Sequence, residues 1–230
     1  MMTSRPVLAT VSVVDALRVA LRERILDGTW PPGSPVAEVD VARGFGVSRP
    51  SANSAIRALV LEGLLRQEAN QRARVTTPTA DDVADLFLVR IPLELVAIER
   101  FGALDDADRA AAIRRARDAV RDLRGIPPEA PHSRFVRADL AFHEVLVEAA
   151  ASPRLRRSYT GLQSEIHLCM IHTRQALGRE RIAREHAAIL QLLQSGDTTA
   201  ARHAMRDHLA GARDALLKAI TGKSAPALDA

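Results

Sequence analysis

The chain has 230 residues, of which 47% are apolar and only 3% aromatic, with a formal net charge of +4 at pH 7. That length suits one large or two small domains, and abundant Ala, Leu and Arg with modest Gly and Pro favours helices over a β-sandwich or barrel. The single cysteine, Cys169, excludes an intrachain disulfide and suits a reducing cytoplasm. No apolar run reaches the roughly 18 to 20 residues of a membrane span, and the start MMTSRPVLATVS lacks a signal-peptide pattern. A soluble cytoplasmic protein with no membrane partner is expected. Lys occurs only at positions 218 and 223, so nearly all cationic charge is arginine.

In chain order, residues 1–11 read as a flexible arm. Residues 12–27 form a helix, with Ser12 as N-cap and Val14, Leu17, Leu21 and Ile25 at helical spacing. Gly28 stops it, and TWPPGSP reads as a stiff connection. A short helix over 38–45 closes at Gly46. A third, begun by Ser48, turns Ala52, Ala55, Ile56, Leu59 and Val60 inward until Gly63. Two short helices around the Gly44-Phe45-Gly46-Val47 turn match a helix-turn-helix, whose second helix can enter the major groove. Residues 64–67 and 73–76 pair as a hairpin, completing a winged helix over 12–78. Between residues 43 and 74 six arginines face only Glu62 and Glu68, the local surplus that phosphate neutralisation needs.

The stretches DALRVALRERILDGTWPPGSPVAEVDVARGFGVSR and AIRALVLEGLL resemble the GntR family of bacterial transcription regulators over about 65 residues. The resemblance implies double-stranded operator DNA as partner. Ser48 and Arg49 would anchor phosphates or base edges, Asn53 would face bases and Arg57 the backbone. Where the family shows Pro-Val-Arg-Glu, this chain has Ser51-Ala52-Asn53-Ser54; asparagine reads adenine where arginine favours guanine. Arg72 stands where the wing tip usually has glycine, and its charge suits a narrow A·T minor groove.

Thr79 with Asp82 three residues on reads as a helix cap, which places the domain boundary after residue 78. Helices are expected over about 80–103, 106–124, 132–151, 153–177, 179–195 and 198–221, joined as an antiparallel all-α bundle, with a flexible tail over 222–230. Pro92 should kink or break the first of them. On the third, Asp139 and His143 lie four residues apart on the apolar face of Val136, Leu140, Val147 and Ala150. His186 shares a face with Ile182, Ile189, Leu190 and Leu193, and His208 follows Met205 and precedes Ala212 and Ala215. Buried polar groups need partners, and these four would give an N₃O ligand set in a bundle centre. Hydrogen-bonded core histidines are the plainer alternative. Imidazole with carboxylate suits a divalent transition metal; zinc comes first, with nickel or manganese as alternatives, and the donor set does not itself select. His132 and His203 read as exposed, and His167 and His172 as structural or surface residues.

The segments DLAFHEVLVEAASPRL, REHAAILQLLQSGDTTAARHAMRDHL and LFLVRIPLELVAIE resemble the FCD effector domain of the FadR-type branch, over residues 80–221. The resemblance implies metal ligands at Asp139, His143, His186 and His208, a small carboxylate effector contacted by Arg90, and a homodimer. Pairing of Arg90 with Glu94 one turn on is the alternative for that arginine. The function expected is a ligand-responsive DNA-binding regulator, a repressor, sensing a small organic acid at or near the metal. A direct metal sensor is one alternative. A metal-dependent hydrolase is another, disfavoured because no nucleophile triad or Gly-rich loop is present and Glu144 and Glu185 read as pointing away from the site.

Overall fold

The computed structural model describes residues 12–173 and 178–223. The expected arm over 1–11, the tail from 224 and the continuation of helix over 174–177 lie outside them. The described residues fall into two compact units, the first of residues up to 25 and 29–76, the second of residues 26–28 and 77 onward.

In the first unit, α1 (Val13–Leu26), α2 (Glu38–Phe45) and α3 (Arg49–Leu61) enclose a core of Leu17, Leu21, Ile25, Ile56 and Leu59. Gly46 caps α2 in the left-handed conformation, φ 64°, which a residue without Cβ adopts freely and which makes the tight turn into α3. A three-stranded antiparallel sheet follows, with β3 (Ala73–Val75) between β1 (Pro35–Val36) and β2 (Leu65–Arg66). The hairpin was predicted; β1 was not. Two residues carry no periodicity, and Pro35 is tolerated there because β1 is an edge strand of this sheet. The left-handed residue of the wing turn is Asn70, φ 62°, a residue type that takes this conformation more readily than most.

The second unit is a helical bundle of α4 (Ala80–Gly102), α5 (Asp106–Arg124), α6 (His132–Ala149), α7 (Pro153–His172), α8 (Arg179–Ser195) and α9 (Thr198–Lys223). A capping box starts α4: Thr79 accepts from the Asp82 amide, and the Asp82 carboxylate accepts from the Thr79 amide at 2.8 Å. The helix does not break at Pro92 but runs on to Gly102. Its other turns hold it in register because Val83, Phe87, Leu95, Ile98 and Phe101 are buried along one side. Central α6 packs on α4, α5, α7 and α8. Ten of its side chains are buried, so its polar members Asp139 and His143 are carried into the core. Cys169 is buried among them, and burial pushes its thiol up to about 12. Among the described residues no helix is long and apolar enough to cross a membrane.

Candidate metal centre and DNA-reading face

Asp139 and His143 from α6, His186 from α8 and His208 from α9 meet at one point. Each offers a ligand atom within 4.8 Å of the others, and none is more than 5% exposed. The Nε2 atom of His186 lies 3.1 Å from that of His143 and 3.2 Å from that of His208, and 3.5 Å from Asp139 Oδ1. Donors sharing one first-row ion at about 2.1 Å stand roughly 3.0 to 3.4 Å apart, close to the three distances measured from His186 Nε2.

The outer ring nitrogens account for the direction of the inner ones. Nδ1 of His143 donates to Glu94 Oε2 at 2.5 Å and Nδ1 of His208 to Glu185 Oε2 at 2.7 Å. A proton on Nδ1 of a neutral imidazole leaves Nε2 as a bare lone pair, here aimed into the cluster. His186 is held differently: its ring stacks on Phe142 with centroids 4.4 Å apart, and its Nδ1 has no hydrogen-bond partner among the described residues. Asp139 Oδ1 and the Tyr159 hydroxyl are likewise buried without a hydrogen-bond partner among the described residues. One His186 Nε2–H could satisfy only one of its three neighbours, whereas a cation satisfies all of them. Burial, helped by the neighbouring imidazoles, holds His186 well below its usual value and therefore neutral, as a ligand must be.

Arg90 and Glu94 close the site from α4. Their side chains are each 2% exposed, and Arg90 Nε donates to Glu94 Oε1 at 2.7 Å. Burial alone would raise the Glu94 carboxyl, but its interactions with His143 and with the Arg90 guanidinium outweigh burial and hold it at about 2. The pairing of Arg90 with Glu94, the alternative reading of that arginine, is thus present, buried, and also reaches a candidate ligand. Glu185 is a correction: it does not point away from the cluster but supports His208, while Glu144 is exposed. His132 is half-buried rather than exposed, with Nε2 3.2 Å from the Met170 carbonyl. His203 is exposed, and neither it, His132, His167 nor His172 belongs to the cluster.

In the first unit Arg49, Arg57 and Arg72 are exposed. Ser48 caps α3, its Oγ accepting from the Ser51 amide at 3.2 Å. Asn53 is half-buried and donates its amide to Glu38 of α2. Glu62, one of the two acids set against the basic run, is paired with Arg18 at 2.7 Å and Arg22 at 2.7 Å, so it does not offset the arginines of α3 and the wing.

A model of the gntR family of bacterial regulatory proteins matches residues 14–75, and one of the FCD domain matches residues 85–211. The chain belongs to the GntR family and carries an FCD effector domain. This GntR regulator is 30% identical to the HTH-type transcriptional regulator YdhC of Bacillus subtilis, over 82% of this chain and 84% of that one. It is 27% identical, over 88% of each chain, to a regulator named for repression of a D-xylose utilization operon in Paenarthrobacter nicotinovorans. The crystal structure of a GntR regulator from Rhodococcus sp. RHA1 superposes with a TM-score of 0.72 at 26% identity, covering 90% of this chain and 98% of that one. These relatives are regulators, and the hydrolase reading falls: this GntR protein is a ligand-responsive DNA-binding regulator, not an enzyme.

Two residues of the GntR regulator's centre escaped sequence reasoning. Glu94 was visible only as the i+4 neighbour of Arg90, and Glu185 only as the neighbour of His186. Their histidine partners lie 49 and 23 positions away on other helices, a separation that leaves no periodic signal.

Proposed function

We propose that this chain is a repressor of the FadR-type branch that senses a small organic acid at or near a divalent metal held by Asp139, His143, His186 and His208. The observation that carries the reading is the convergence of these four buried donors, with Asp139 Oδ1 and the Tyr159 hydroxyl left unpartnered beside a buried Arg90. Such an ion, zinc first and nickel or manganese next, supplies open coordination positions for a carboxylate oxygen. Arg90 provides the complementary cation: only its Nε is engaged by Glu94, and its remaining N–H groups suit a carboxylate bidentately. The relative named for repression of a D-xylose operon supports the sign of regulation.

The chain acts in the cytoplasm as a homodimer on double-stranded operator DNA, with a reading domain over 12–78 and an effector and dimerisation domain from residue 79 on. Ser48 and Arg49 anchor the start of the recognition helix, Asn53 reads bases, Arg57 contacts backbone and Arg72 enters the minor groove from the wing. Asn53 must leave Glu38 to use both halves of its amide on an adenine. An effector changes operator affinity only through its different affinity for the two arrangements of the dimer, and operator DNA changes effector affinity by the same factor.

Selection of binding sites from random duplexes, then gel shifts with a panel of hydroxy acids and sugar acids, tests this reading. One acid should release the operator from zinc-loaded protein but not from chelated protein. Release by zinc removal alone, with no acid active, would replace the acid sensor by a direct metal sensor. Arg49→Ala and Arg57→Ala should each reduce the slope of log affinity against log salt by about one. Unchanged binding by Arg49→Ala and Asn53→Ala together would remove the assigned reading surface.

A further inference from the structure

The geometry points to Glu185 as a positioning residue that turns His208 into a ligand, gripped by an Arg181 guanidinium that lies against the bare backbone of Gly211. The inference rests on the metal reading above and adds to it a means by which the surface of the bundle controls the centre.

Glu185 immediately precedes His186 on α8, yet its carboxylate serves the other helix. Oε2 accepts from His208 Nδ1 at 2.7 Å, and Oε1 accepts from Arg181 Nε at 2.6 Å, one turn earlier on α8. His208 is 4% exposed at the side chain, Glu185 30% and Arg181 51%, so the three form a chain from solvent to the buried cluster. Its chemical effect is a choice of tautomer. With Nδ1–H committed to Glu185, the His208 Nε2 lone pair faces His186 Nε2 at 3.2 Å; in the other tautomer an N–H would occupy that space and exclude a cation.

Gly211 accounts for the arginine's course. It lies inside α9, where glycine costs about 1 kcal/mol relative to alanine, and three residues after His208 it shares that residue's side of the helix. A Cβ built there would stand 2.3 Å from Arg181 Nη2 and 3.5 Å from Cζ. The absent side chain is the space in which the guanidinium lies. Glu94 supports His143 in the same way but is sealed at 2% exposure with Arg90, so Glu185 is the support that reaches solvent.

Zinc affinity of the full chain, measured by competition with a chromophoric chelator, tests the assignment alongside the melting temperature of the metal-free protein. Glu185→Gln and Glu185→Ala should weaken zinc binding, the latter by about 10- to 100-fold, with little change in metal-free melting. Gly211→Ala removes neither ligand nor carboxylate and improves helix propensity; it should weaken zinc binding while leaving metal-free stability equal or higher, a combination that general damage to the fold does not produce. Glu180→Gln, on the exposed side of the same helix, should bind zinc as the wild type does. Wild-type affinity in both Glu185 variants would overturn the positioning role, and wild-type affinity in Gly211→Ala would overturn the part given to Arg181, each while leaving the metal centre standing. A wild-type chain that binds no zinc, nickel or manganese would overturn the centre itself.

Discussion

Arg90 and Glu94 carry opposite charges inside a bundle where neither has water. Removing one partner of a buried pair leaves the other uncompensated and typically costs about 3 to 5 kcal/mol. Arg90→Met should therefore lower the unfolding free energy in denaturant by that order, and the double change Arg90→Met with Glu94→Leu should cost less than the two single changes together. An additive result would mean that the pair is not coupled, and that Arg90 acts alone. Phe142 makes the complementary case, since its ring stacks on His186, whose Nδ1 has no hydrogen-bond partner among the described residues. The four candidate ligands were legible because each shares a helical face with apolar neighbours, and a polar residue on such a face must be buried with a partner. The residues that orient them were not, because hydrogen bonds between helices depend on packing that no local spacing encodes.

At the level of elements, the capping box of α4 shows local chemistry read directly from sequence. Thr79→Ala removes an acceptor from the Asp82 amide and should cost about 1 kcal/mol, visible in thermal unfolding. No change would indicate that water satisfies the helix start equally well. Helix positions were legible because apolar residues recur at three and four, and because Gly46 and Gly196, both at positive φ, end α2 and α8. Of the kink or break expected at Pro92, the break does not occur: the buried residues before and after it belong to one continuous helix. Strand β1 lay hidden in a Pro-rich segment, since its pairing with β3 comes from a chain stretch nearly forty residues away.

At the scale of the whole molecule, buried histidines link the fold to pH. Burial, assisted by Arg137 and His132, brings His167 down from 6.5 to about 4. Burial also holds His186 and His208 below 6.5. In each case the unfolded chain binds a proton more readily than the folded one. The sign follows: the stabilisation is fully present above pH 6.5 and is lost as pH falls through that window toward 4. For metal-free protein, His167 alone should contribute on the order of 3 kcal/mol to this loss. His167→Gln should flatten the profile of unfolding free energy between these limits; an identical profile would remove His167 from the account.

Under the proposed function, ligand regulation enters at the buried cluster that α6, α8 and α9 build and α4 closes. Its most direct test is the metal content of the chain itself, by native mass spectrometry of protein purified without chelator and then titrated with zinc. The account predicts one ion per chain, and none in His186→Ala or Asp139→Ala at the same zinc concentration. A wild-type chain that carries no ion while remaining folded, or a His186→Ala chain that retains one, would contradict it.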